Sequence, residues 1–182
     1  MKVEQIYTGC LAQGAYYIES NGEVAIIDPL RETQSYIDQA EKDGAKIKYI
    51  FETHFHADFV SGHLDLAQKT DATIVYGPTA HPSFPAKIAT DGEVFQLGNI
   101  TITALHTPGH TMESTTYLLK DENGVDKMIF TGDTLFSIEN NEFSIMIICN
   151  YFIPIPCESS AILSSGKDFI PSEKIEFERK TS

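Results

Sequence analysis

The segment THFHADFVSGH, residues 53–63, packs three of the chain's six histidines and an aspartate into eleven positions. So many imidazole and carboxylate groups cannot be folded into an apolar interior unless they are paired with one another or with a metal. The run before it, KIKYIFET, is rich in apolar residues and reads as a strand that leads straight into the cluster. The segment therefore calls for a fold in which strands end at a shared polar site. It leaves open how many metals that site holds.

Three further polar clusters follow apolar runs: IIDP with Asp28, HTPGHT with His106 and His110, and FTGDTL with Asp133. Imidazole and carboxylate donors together suit Zn, Fe or Mn better than Ca or Mg. His54 and His56 are two apart, so in an extended segment both project to one side. Such a pair needs at least one more ligand, and His110 and Asp133, each beside a glycine, are the natural suppliers. Asp28, before Pro29, is expected either to shape a turn or to accept the N–H of a ligating imidazole. His81 in a polar loop is expected at the surface, and His63 and His106 in structural roles.

The surrounding pattern is that of an α/β chain. AYYIES and VAIIDP flank Asn21-Gly22, which predicts a hairpin. TQSYIDQAEKDGA predicts a helix with Tyr36, Ile37 and Ala40 on its inner face, ended by Gly44. SGHLDLAQKTD predicts another, capped by Ser61, with Leu64 and Ala67 inward. ATIVYG, EVFQLG, ITITALHT, STTYLLK and KMIFTGD read as strands, with a second hairpin turn at Asn123-Gly124. After Phe136 the period is lost. Residues 137–182 contain no histidine and two of the three cysteines, and predict an irregular tail with one strand around Ser144–Ile148.

The HxHxD signature of the metallo-β-lactamase superfamily reads here His54-Phe55-His56-Ala57-Asp58, and the likeness continues through TPGHT (107–111) and TGDTL (131–135). ETHFHADFVSGH and TPGHTMES most resemble the persulfide dioxygenases, particularly the bacterial type often fused to rhodanese domains. The resemblance covers about residues 1–136. It implies the αββα sandwich of that superfamily, complete in its first half only, with 137–182 a divergent tail unmatched to the family.

Hydrolytic members such as hydroxyacylglutathione hydrolases often hold two metals through HxHxDH, a later His, a bridging Asp and a last His. Here Phe59 stands after Asp58, and no histidine follows His110. A second metal would keep only Asp58 and Asp133, too few protein ligands. Two mononuclear arrangements remain open from the residues. His54, His56 and His110 would suit Zn with a bound hydroxide. His54, His110 and Asp133 would suit Fe(II), with open positions for O₂ and a substrate sulfur.

The resemblance favours one Fe(II) per chain, held by the catalytic residues His54, His110 and Asp133. His56 and Asp58 then support the site by hydrogen bonding, or become ligands if Zn is bound. The implied reaction oxidises glutathione persulfide with O₂ to sulfite and glutathione. The alternatives are a Zn-dependent thioester hydrolase of the hydroxyacylglutathione hydrolase type and a truncated, non-catalytic metal-binding protein. The last follows from the tail and from the absence of the Arg-containing stretch that persulfide dioxygenases usually carry after this motif. Family relatives are often dimers, which makes a homodimer an expectation too.

Composition narrows the partners. Asp+Glu 26 against Lys+Arg 13 gives a net charge of −13, which disfavours nucleic acid and anionic membranes. No apolar run reaches membrane-spanning length, and no secretory signal pattern opens the chain. Cys10, Cys149 and Cys157 cannot all pair within one chain and show no CxxC spacing. The expected compartment is the cytoplasm, or the mitochondrial matrix of a eukaryote.

Overall fold

A computed structural model describes residues 1–8, 13–134 and, as backbone, 152–154. Two sheets face each other. The first runs in the order β1 (Lys2–Thr8), β2 (Gln13–Ser20), β3 (Glu23–Ile27), β4 (Lys46–Phe51), β5 (Thr73–Tyr76) and β6 (Lys87–Ile88). The second is ordered β11 (Phe152–Pro154), β10 (Asp126–Phe130), β9 (Thr115–Lys120), β8 (Ile100–His106) and β7 (Val94–Leu97). β3 to β6 pair in parallel, whereas β1–β2–β3 and the whole second sheet are antiparallel. Helices α1 (Gln34–Lys42) and α2 (His63–Thr70) supply two of the connections between parallel strands, as parallel pairing requires.

Why the first sheet's central strands are apolar throughout follows from their two covered faces. Tyr16, Ile18, Ala25, Ile27, Phe51 and Val75 point to the second sheet, where they meet Phe95, Leu97, Ile102, Tyr117, Leu119 and Phe130. The alternate residues Tyr17, Val24, Ile26, Ile50, Ile74 and Tyr76 pack under Tyr36 and Ala40 of α1 and Leu66 of α2. Phe51, Phe95 and Tyr117 form a ring cluster between the sheets, with centroids 5.3 Å and 4.7 Å from Phe51. Burial of each such aromatic is worth about 1.5–3 kcal/mol.

The expected hairpin turns occur. Asn21 and Gly22 both take positive φ, the left-handed conformation a two-residue turn needs. Asp121 accepts the backbone N–H groups of Asn123 and Val125 at the second turn. Helix α1 buries Tyr36 and Ala40 as expected, and Gly44 at φ +64° follows it.

In α2 the inner face matches expectation at Ala67, which packs against the core, and differs at Leu64. Leu64 is 50% exposed, and Leu66, fully buried, fills the core instead. Gly62, not Ser61, precedes the first helical residue, although the Ser61 hydroxyl still accepts the His63 N–H at 3.3 Å. Gly62 donates its own N–H to the Pro29 carbonyl, and a Cβ there would lie 2.2 Å from the Leu30 oxygen. This contact fixes where the helix starts, and so which residues face inward. Strands β1, β6 and β11 were not anticipated, the last lying in the stretch expected to be an irregular tail. β1 is a half-exposed edge strand and β6 is two residues long, so neither carries a strong apolar alternation. The strand expected around Ser144–Ile148 lies outside the described residues.

Candidate metal centre

The parallel register Ile27↔Phe51 sets the C-terminal ends of β3 and β4 side by side. Asp28 and the stretch Glu52–His54 therefore emerge together at one edge of the sandwich, and the Asp28 N–H is anchored on the Phe51 carbonyl at 2.9 Å. From the opposite sheet the Thr115 N–H donates to the Thr53 carbonyl at 2.9 Å. The loop between β8 and β9 is thereby tied to the same edge. Asp133 arrives from β10 through a tight 3₁₀ turn, Gly132–Thr134.

Three of the anticipated residues converge. The ligand atoms of His54, His110 and Asp133 lie within 4.8 Å of one another. His54 Nε2 is 3.7 Å, and His110 Nε2 3.5 Å, from Asp133 Oδ2. The His54 and His110 rings meet edge-on at 4.9 Å. The cluster is graded in exposure: the side chains of His54, Asp133 and His110 are 3%, 11% and 33% exposed. A site built this way has a closed floor and an open side at His110. Two imidazoles and a carboxylate at these separations fit a transition-metal ion.

His56 turns elsewhere. Its Nε2 lies 3.1 Å from Asp28 Oδ1 and 3.6 Å from Glu52 Oε2, and all three side chains are buried. The Phe59 ring covers it at 4.3 Å. Burial disfavours the charged form of this histidine, but the adjacent Asp28, Glu52 and Asp58 carboxylates outweigh it and push the pKa up to about 9. His54 goes the other way. Burial and the charge of His56 hold its pKa below the usual value, which favours the neutral imidazole that can bind a metal. Asp58 stands on the exposed loop, beside Arg31 and Phe59.

The carboxylates of the floor are also set apart. Burial raises the Glu52 pKa, whereas Asp28, despite its burial, is held low by His56, His54 and the Thr53 N–H. Asp28 sits at φ +48°, a strained conformation for a non-glycine residue, stabilised by its two hydrogen bonds from Thr53 at 2.8 Å each. It is a buried acceptor, but its hydrogen bonds come from Thr53 and not from the imidazole of a clustered ligand. It faces His56 directly, and reaches His54 only through Thr53.

Several contributors escaped sequence reasoning. Thr53 is one, and its signal was only adjacency to His54. Glu113 is another: its carboxylate accepts the Phe55 N–H at 3.0 Å and joins the His54–Asp58 loop to the one carrying His110. Burial works against the Glu113 charge, yet that hydrogen bond holds its pKa below the ordinary range. His106 braces the His110 loop through a ring nitrogen 2.9 Å from the Met112 carbonyl. His63 sits 3.4 Å from Glu52 and packs on Phe84, and His81 is exposed.

Two sheets that converge on a histidine–aspartate cluster narrow the family, and the sequence decides it. The sequence model described as Metallo-beta-lactamase superfamily matches residues 8–171. The chain belongs to the metallo-β-lactamase superfamily. The match runs beyond Phe136, where the motif resemblance ends. Among curated proteins it is similar to the cytoplasmic hydroxyacylglutathione hydrolase of Arabidopsis thaliana, 37% identical over 132 residues, covering 70% of this chain and 51% of that one. The hydroxyacylglutathione hydrolase of Rhodopseudomonas palustris strain BisB5 is 35% identical over 138 residues, covering 71% and 51%. The chain thus spans about half the length of the curated relatives it matches.

Among solved structures, a metallo-beta-lactamase from Staphylococcus aureus subsp. aureus COL superposes with a TM-score of 0.68 at 38% identity, covering 75% of this chain and 44% of that one. ETHE1 from Myxococcus xanthus gives 0.65 at 25% identity, covering 75% and 59%. The metallo-β-lactamase fold is therefore common ground among these relatives and this chain, and His54, His110 and Asp133 form a cluster that could hold a metal. No helix among the described residues is long and apolar enough to cross a membrane.

Proposed function

We propose that this chain carries a mononuclear iron site of the persulfide dioxygenase type, oxidising glutathione persulfide to sulfite and glutathione. The observation that carries this reading is the separation of the two motif histidines. His54 joins His110 and Asp133 in a two-histidine, one-carboxylate cluster, while His56 is engaged by Asp28 and Glu52 under Phe59. Such a triad leaves coordination positions open, which suits Fe(II) and oxygen chemistry. The motif resemblance to the persulfide dioxygenases supports the same choice, and the fold likeness to ETHE1 from Myxococcus xanthus is compatible with it.

The reaction balances as glutathione persulfide plus O₂ plus water giving glutathione plus sulfurous acid. The terminal sulfur is oxidised, O₂ is reduced, and the S–S bond breaks. Iron would supply binding of the persulfide sulfur and activation of O₂. The protein's part is to hold the metal from a closed floor, to keep His54 neutral, and to leave the His110 side open for the thiol substrate.

A second reading is a Zn-dependent thioester hydrolase, favoured by the likeness to curated hydroxyacylglutathione hydrolases. Anaerobic reconstitution with Fe(II), followed by an O₂-electrode trace on adding glutathione persulfide, separates the two. Oxygen uptake with sulfite formation is expected. An iron-loaded, folded sample that consumes no O₂ sinks the dioxygenase reading. Release of free thiol from S-lactoylglutathione by the Zn-loaded protein without O₂ would establish the hydrolase.

A further inference from the structure

Thr53 touches every part that builds the centre. Its N–H and its hydroxyl both donate to Asp28, at 2.8 Å to Oδ1 and 2.8 Å to Oδ2. Its carbonyl accepts from Thr115 at the root of the His110 loop. Its side chain lies against Gly132, the residue before Asp133, where a Cβ would come within 2.5 Å of the Thr53 Oγ1. That same Oγ1 is 2.9 Å from His54 Nδ1.

These contacts fix which way the protons run. An aspartate carboxylate only accepts, so the single hydroxyl proton of Thr53 is committed to Asp28. The Thr53 oxygen is then left to accept, and its neighbour Nδ1 must be the donor. His54 therefore carries its ring proton on Nδ1. Its Nε2 lone pair is freed toward Asp133 and His110, where a metal would sit.

We infer that Thr53 is a positioning residue that sets the tautomer and ring orientation of His54 by relaying the buried charge of Asp28. This rests on the reading of His54 as a metal ligand. A threonine suits the role because its branched side chain offers a methyl to pack and an oxygen that both donates and accepts. The residue acts through His54 and touches neither metal nor substrate.

The test compares Thr53→Val, which keeps the branched shape and removes the oxygen, with Thr53→Ser, which keeps the oxygen. The first readout needs no metal. Long-range ¹H–¹⁵N spectra of the full chain, with the His54 signals assigned by loss in His54→Gln, report which ring nitrogen is protonated. The expected result is the Nδ1–H form in wild type and Thr53→Ser, and a shift toward Nε2–H in Thr53→Val.

The second readout is metal affinity by chelator competition. Thr53→Val is expected to weaken binding by about 10–100-fold, the range seen when a group that orients a ligand is removed, with Thr53→Ser close to wild type. The dispersion of the same spectra shows whether each variant is folded. If Thr53→Val keeps the wild-type tautomer, or both substitutions weaken metal binding equally, the relay is overturned while His54 can still be a ligand. If His54→Gln binds metal as wild type does, the ligand reading itself is overturned.

Discussion

The ring of Phe59 lies 4.3 Å from that of His56, centroid to centroid, with the planes inclined at 43°. An apolar ring thus covers the outer side of a histidine that stands in a second buried cluster with Asp28 and Glu52, and the ring itself offers no lone pair to a cation. Purified protein reconstituted with excess Fe(II) or Zn(II) and then desalted is expected to retain one metal per chain by elemental analysis. A value near two would remove the single-metal reading.

Loss of a ligand and loss of its support should differ in size. His54→Ala, His110→Ala and Asp133→Ala are each expected to weaken metal binding by more than about 100-fold, and His56→Ala by about 10–100-fold. His56→Ala should also lower stability of the metal-free protein by about 3–5 kcal/mol, because two buried carboxylates lose their shared partner. Chelator competition and urea unfolding on the same samples check both halves.

Gly132 combines φ +54° with close contact to Thr53. Gly132→Ala is expected to cost about 2–4 kcal/mol, from backbone strain and overpacking together. Because Asp133 follows directly, metal affinity should fall with it. Unfolding that matches wild type would mean that the turn can move aside.

Helix α2 offers a paired comparison. Leu66→Ala should destabilise by about 2–5 kcal/mol, since its side chain is wholly buried. Leu64→Ala should stay within about 0.5 kcal/mol, as half of that residue meets solvent. Equal losses in chemical denaturation would contradict the assigned helix face.

Glu23 bridges the two sheets near the opposite edge, accepting the Gly98 N–H at 2.7 Å and the Lys48 ammonium at 2.8 Å. These contacts, the Gly98 hydrogen bond foremost, hold its pKa below the ordinary 4.5. A depressed carboxyl pKa stabilises the fold above the unfolded-chain value, and the gain is lost as pH falls through the folded one. Glu23→Gln should therefore cost about 0.5–1 kcal/mol at pH 7, a modest figure because the pair is partly exposed and screened. The gap from wild type should close below about pH 4.5 in a urea series.

The strands that bury both faces were legible because their apolar runs are nearly unbroken, as in VAII and IIDP's approach to Asp28. The three converging residues were legible too, each placed after a strand and beside a motif glycine or within HxHxD. The choice of Leu66 over Leu64 on the inward face of α2 was not, because it depends on Gly62 meeting the Leu30 carbonyl, a contact between segments over thirty residues apart. Nor was Thr53, whose role comes from the Asp28 carboxylate brought alongside by parallel pairing. Local pattern marks the residues with unusual chemistry, whereas which neighbour orients them is set by register across the sheet. His56 shows the same limit: its spacing from His54 suggested a common target, and the two rings lie 4.1 Å apart yet serve different carboxylates.

The three clustered donors come from widely separated stretches of chain, His54 from one sheet and His110 and Asp133 from the other. Each sheet taken alone has only part of the set, so the centre cannot exist until the sheets have docked. A metal ion would then bind the native state and ignore earlier ones. Its effect on kinetics should be lopsided, slowing unfolding far more than it speeds refolding. In this arrangement the ion acts as a latch on a finished structure, not as a nucleus around which the chain assembles.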